Sequence, residues 1–65
     1  MKDGAIIHVE RGYRIAEVLE QLGPEAEFRC VGFRLIGPRA DEGRVYSTEQ
    51  RAKEALDELA RGAHG

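Results

Sequence analysis

The side chains with the most reactive chemistry in this sequence are one cysteine and two histidines, Cys30, His8 and His64. His8 precedes Glu10 by two residues, which could pair a base with an acid. Cys30 could act as a nucleophile only if a neighbouring base lowered its pKa. A closed structural zinc site needs four ligands, more than these residues supply. We therefore expect no catalytic residue, no metal site and no cofactor, with an active site formed between subunits as the exception.

Arginines form the second group with potential chemistry. Residues 28–48 carry a net charge of +2 in a chain whose net charge is −2. Arg39 and Arg44 lie in or beside a polar loop, so a β-hairpin that contacts phosphates is one candidate, and it would make this a nucleic-acid-binding protein. Asp41 and Glu42 share that loop and weaken its positive charge. The loop also lacks the glycine spacing and the lysine of a phosphate-binding loop.

The first half of the chain predicts one strand and one helix. Residues 5–10 alternate as a strand does, which places Ala5, Ile7 and Val9 on one face and Ile6, His8 and Glu10 on the other. Gly12 ends this strand. Residues 13–22 predict a helix, because Ile15, Val18, Leu19 and Leu22 fall on one helical stripe. Gly23 and Pro24 end it.

Residues 28–36 form the longest strand candidate. Strict alternation would separate the two phenylalanines, so we expect a bulge near Gly32. The bulge places Phe28, Cys30, Phe33 and Leu35 on the face toward the core and Arg29, Val31, Arg34 and Ile36 on the opposite face. Residues 37–43 are a polar loop, and residues 44–46 return as a strand, which completes a hairpin.

The end of the chain predicts a second helix with clear boundary signals. Its apolar residues recur at helical spacing and are Ala52, Ala55, Leu56, Leu59 and Ala60. Ser47 opens a capping box that Gln50 closes. Two pairs of opposite charge stand four residues apart, Glu49 with Lys53 and Asp57 with Arg61. Gly62 ends the helix, and residues 62–65 read as a frayed tail.

These elements predict a small single α+β domain over residues 1–65. The order is β-α-β-β-α, with a mixed or antiparallel three-stranded sheet and two helices packed on one of its faces. The opposite face stays open. It mixes apolar, arginine and aromatic side chains, a composition typical of protein interfaces. We expect Arg29, Val31, Arg34, Ile36 and Tyr46 to bind a partner there.

Size and composition point to the same function. A chain of 65 residues with one cysteine has a small core and no internal disulfide, so a partner is the remaining source of stability. We expect a non-catalytic interaction or accessory protein that self-associates as a homo-oligomer or docks on a larger protein. The balanced charge and the short apolar runs predict a cytoplasmic protein without a membrane span. Eight arginines against two lysines are typical of a GC-rich bacterial genome.

Overall fold

The computed structural model describes residues 2–25 and 27–62. Three antiparallel strands, β1 (Lys2–Glu10), β2 (Tyr13–Gln21) and β3 (Phe28–Ile36), precede one helix, α1 (Glu49–Gly62). The strands lie side by side in chain order, so β2 is the central strand. The α+β class and the three-stranded antiparallel sheet are confirmed. The β-α-β-β-α order and the first predicted helix, over residues 13–22, are wrong, whereas the predicted C-terminal helix is present. The predicted tail beyond Gly62, with His64, lies outside the described residues.

The predicted helix over residues 13–22 is a strand because a hairpin turn precedes it. Arg11 and Gly12 both have positive φ, 53° and 84°, as in the type I′ turns whose twist matches that of a β-hairpin. Glu10 and Tyr13 pair directly across this turn. Gly12 is therefore part of a tight reversal rather than a break before a helix.

Burial on both faces explains why β2 resembles a helix in the sequence. Ile15 lies in the core beneath α1, whereas Ala16 and Val18 are outside that core, and all three are 0% exposed. A strand covered on both faces loses the alternation of polar and apolar residues. Its apolar positions then match a helical stripe by chance.

Bulges set which side chains share a face of the sheet. The pairing of β2 with β3 steps from Val18–Gly32 to Leu19–Cys30, so Val31 is an extra residue. The bulge predicted near Gly32 is confirmed.

Two further irregularities interrupt β1, one between Asp3 and Ile6 and one between Ile6 and His8. They place Ile6 and Val9 on one face, opposite Ala16 and Arg14 of β2. His8 moves to the other face, opposite Ile15. The simple alternation predicted for this strand is therefore wrong.

The cap of α1 lies one residue later than predicted. The backbone N–H of Arg51 donates to Oγ1 of Thr48 at 3.1 Å, so Thr48, rather than Ser47, caps α1. Both predicted pairs along α1 are present: Nζ of Lys53 lies 2.9 Å from Oε2 of Glu49, and Nε of Arg61 lies 3.3 Å from Oδ2 of Asp57.

A small core joins α1 to one end of β2 and β3. Its buried members are Tyr13, Ile15, Leu35, Ala52 and Leu56. The Tyr13 hydroxyl donates to the carbonyl of Pro38 at 3.0 Å, which fixes the loop after β3 to the core. The core stops short of the far end of the sheet, where Phe28 is 39% exposed and Cys30 is exposed. Cys30 lies on the same face of β3 as Phe33 and Leu35, as predicted, but it is exposed rather than buried in the core, because the core does not reach that end of the sheet.

The predicted returning strand contracts to one bridge. Phe33 and Tyr46 exchange both backbone hydrogen bonds, at 2.8 and 2.7 Å. The neighbouring residues Arg44 and Val45 are not part of a strand. This bridge holds the segment that leads into α1 against the outer edge of β3.

Candidate functional site

The face of the sheet turned away from α1, which we call the open face, draws on all three strands. Directly paired residues of antiparallel strands project to the same side, so the register identifies its members. Arg14, Ala16, Val18 and Glu20 of β2 lie beside Asp3, Ile6 and Val9 of β1 and beside Arg29, Gly32, Arg34 and Ile36 of β3. The open face therefore combines apolar side chains with arginines and two acids.

An ion pair crosses the middle of the open face. Arg34 of β3 is the strand partner of Ala16, and Asp3 of β1 is the strand partner of Val18, so the two residues stand on opposite sides of β2. Nη1 of Arg34 nevertheless donates to Oδ1 of Asp3. The arginine side chain must therefore pass over β2, and it is only 24% exposed. This crossing accounts for the burial of Ala16 and Val18 on a face that no helix covers.

The exposed apolar residues of the open face are concentrated on β1. Ile6 is 45% exposed and Val9 is 66% exposed. Within the described residues, β1 has a strand neighbour on one side only, because β2 separates it from β3. Exposed β-branched residues on an edge strand form a surface that a partner sheet can cover.

Only three of the five predicted partner-binding residues lie on the open face. Arg29, Arg34 and Ile36 lie on the open face, with Arg29 at the far end, where its Nη2 is 3.9 Å from Oε2 of Glu20. Val31 is the bulge residue and is half-buried. Tyr46 packs against the core cluster beneath α1, so its predicted position on the open face is wrong. Its backbone bridge to Phe33 turns the ring to the helix side.

His8 and Glu10 belong to a surface network on the helix side. Nε2 of His8 lies 2.9 Å from Oε1 of Glu10, and Nε of Arg11 lies 3.3 Å from Oε2 of the same carboxylate. The hydrogen bond from His8 lowers the pKa of Glu10, and the charge of Arg11 adds to this, while partial desolvation opposes it. Nη1 of Arg11 also reaches Oδ1 of Asp57 at 3.5 Å. The network ties the β1–β2 turn to α1.

The two arginines of the nucleic-acid alternative stand in different settings. Arg39 lies in the loop after β3 with a left-handed φ of 64°. The guanidinium of Arg44 lies over the Tyr46 ring, 4.8 Å from its centroid, and that ring belongs to the helix side. Nucleic-acid binding by these two residues stays a prediction.

Sγ of Cys30 donates to the carbonyl oxygen of Gly32 at 3.3 Å. Across residues 2–25 and 27–62, no three His, Cys, Asp or Glu side chains are placed to hold a metal ion. In the same part of the chain, α1 is too short and too polar to cross a bilayer. The chain matches no protein-family model, no curated protein and no solved structure.

Proposed function

We propose that this protein is a small non-catalytic interaction protein that self-associates through the open face, with Ile6 and Val9 as its main apolar contacts. The exposure of these two side chains on one face of an edge strand is the observation that carries the proposal. Two copies that stack these faces would cover both residues in each copy. A cytoplasmic location remains a prediction from the composition.

Because the core is small, burying further apolar surface in a contact between copies is favourable. Among the described residues, only seven apolar side chains are buried. A domain of this size gains about 3–5 kcal/mol from a single core. Covering Val9 and Ile6 would remove from water apolar area that folding leaves exposed, which stabilises the associated state.

The dimensions of the sheet set the expected strength. Three strands of nine residues give a face about 30 Å long and about 14 Å wide, or about 400 Å² in projection. A standard interface buries about 800 Å² per partner. The open face is therefore at the small end of the range, and we expect a weak dimer with a Kd of about 10–100 μM.

Sedimentation velocity of the full chain between 5 and 500 μM tests self-association. We expect the weight-average sedimentation coefficient to rise through this range as dimer forms. A monomer at every concentration would refute the proposal and would leave docking on a different, larger protein as the role of this face.

Two matched variants test which surface is used. Val9→Lys places a charge within the proposed contact, at a side chain that is 66% exposed and therefore contributes little to the monomer fold. We expect its Kd to rise at least tenfold, with an unchanged melting temperature at low concentration. Leu22→Lys is the control, because Leu22 is 49% exposed and lies beyond the end of β2, where it has no strand partner among the described residues. If Leu22→Lys weakens the dimer and Val9→Lys does not, another surface forms it.

A further inference from the structure

A groove lies on the helix side of the molecule, away from the open face. It has a volume of about 580 Å³ and is bounded by the outer side of α1 and by the segment that carries Arg44 and Tyr46. Three half-buried apolar residues, Tyr46, Ala55 and Leu59, line it. This volume is within the range of about 300–1,000 Å³ that small-molecule sites occupy.

Two arginines mark one end of this groove. Arg44 and Arg51 line it and also line an adjoining recess of about 240 Å³ beside Ser47. Within residues 2–25 and 27–62, neither guanidinium lies within 4.0 Å of a carboxylate, in contrast to Arg61, which pairs with Asp57. Stacking on the Tyr46 ring holds Arg44 in place. Among the described residues, this end therefore presents two arginines that form no ion pair.

The rest of the groove has a net negative charge, because Glu54, Asp57 and Glu58 line it against Arg61. Glu54 and Glu58 line the α1 side beyond Arg51. An anion placed there would be repelled, whereas the same anion between Arg44 and Arg51 would accept charge-assisted hydrogen bonds. The distribution of charge thus fixes the orientation of a ligand along the groove.

We infer that this groove binds a small amphiphilic carboxylate. The carboxylate lies between Arg44 and Arg51, and an apolar group extends over Tyr46, Ala55 and Leu59. Arg51 and Leu59 are eight residues apart on α1, a distance of about 12 Å along the helix axis, which limits the length of the ligand. This site is independent of the proposed self-association, because it lies on the opposite side of the sheet.

Titration of the full-length protein with 4-phenylbutanoate, followed by ¹H–¹⁵N NMR, tests the site. We expect saturable shifts at Tyr46, Ala55 and Leu59, with a Kd of about 0.1–5 mM, and no shifts on β1. The isosteric amide, 4-phenylbutanamide, has the same apolar group without the charge and should bind at least tenfold more weakly. Equal binding of acid and amide, or no saturation up to 20 mM acid, would overturn the inference.

Matched arginine variants separate the site from a general charge effect. Arg51→Gln and Arg44→Gln should each raise the Kd of the acid about five- to tenfold, because each removes one charge-assisted contact. Arg14→Gln removes the same charge from the open face and should leave the Kd unchanged. Equal losses in all three variants would overturn the inference.

Titration with N-acetyl-leucine distinguishes the source of the carboxylate. Tighter binding than that of 4-phenylbutanoate would indicate that the natural ligand is a peptide C terminus. Weaker binding would indicate that it is a free organic acid.

Discussion

Replacing Gly32 by alanine tests the packing of the bulge against the segment before α1. A Cβ on residue 32 would overlap with Cγ1 of Val45 and would lie 2.7 Å from the carbonyl oxygen of Tyr46. That oxygen accepts the backbone hydrogen bond of Phe33 at 2.8 Å. The added methyl group therefore pushes apart the bridge between Phe33 and Tyr46, which holds this segment to the sheet.

Two opposing effects set the size of the change. Alanine in a strand is favoured over glycine by about 0.5–1 kcal/mol, since it loses less backbone entropy on folding. Forcing an extra methyl group into a filled space costs about 1–3 kcal/mol. Because one of the two contacts is a backbone oxygen that cannot rotate away, we expect the steric cost to dominate. The net loss in the free energy of unfolding is about 1–2 kcal/mol.

Urea denaturation followed by circular dichroism measures this loss, and a neighbouring change isolates its cause. Val45→Ala removes one of the two overlapping groups and should restore part of the stability of Gly32→Ala, because the Tyr46 oxygen remains. A double-mutant cycle should give a coupling energy of about 0.5–1 kcal/mol. Gly62→Ala is the control, since among the described residues a Cβ added there meets no atom within 4 Å outside its chain neighbours and the adjacent helix backbone, and it should be neutral or stabilising.

Gly32→Ala as stable as the wild type, or more stable, would contradict a steric clash at residue 32. Strict additivity of Val45→Ala and Gly32→Ala would also contradict it, because the two side chains would then not be in contact.

Two further predictions follow from local contacts. Thr48→Ala should lower the free energy of unfolding, measured by urea denaturation, by about 1 kcal/mol, because it removes the hydrogen bond from the N–H of Arg51. Ser47→Ala should change this free energy by less than about 0.5 kcal/mol. A larger loss in Ser47→Ala than in Thr48→Ala would show that Ser47 is the cap. His8→Ala should raise the pKa of Glu10 toward its ordinary value of 4.5, as measured by NMR titration of the carboxyl carbon. Because the pKa of Glu10 is lowered in the folded state, the charge of Glu10 stabilises the fold above pH 4.5, and this contribution disappears as the pH falls through the folded pKa. His8→Ala should therefore reduce the loss of stability in that acidic range. An unchanged Glu10 pKa in His8→Ala would show that the contact with His8 does not cause the lowered pKa.

Local chemistry in the sequence was sufficient to predict some elements of this fold. The helix that ends at Gly62 follows from the spacing of its apolar residues and from charge pairs that need no distant partner. The bulge beside Gly32 follows from the position of that glycine between two phenylalanines. A cap was expected one residue too early because Ser47 and Thr48 have equivalent hydroxyls, and only the helical geometry distinguishes them.

The candidate sites depended on contacts between residues far apart in the chain. The sequence indicated the mixed character of the open face, including Arg34 and Ile36, but it assigned Tyr46 to the wrong side. The pair of arginines at Arg44 and Arg51 was missed. Arg44 is in a loop and Arg51 is on a helix, so no periodicity connects them, and only the turn between them brings both to one groove.

The sequence alone determined a small α+β domain with a C-terminal helix and a bulged strand, because these features rest on neighbours three or four residues apart. Tertiary structure decided that residues 13–21 form the central strand. Ile15 is buried by α1 and Val18 by the crossing arginine, Arg34. The groups that bury these two residues lie on opposite faces of the sheet and at distant positions in the chain. The apolar spacing of this strand therefore indicated burial correctly but could not indicate whether the buried segment was a helix or a strand.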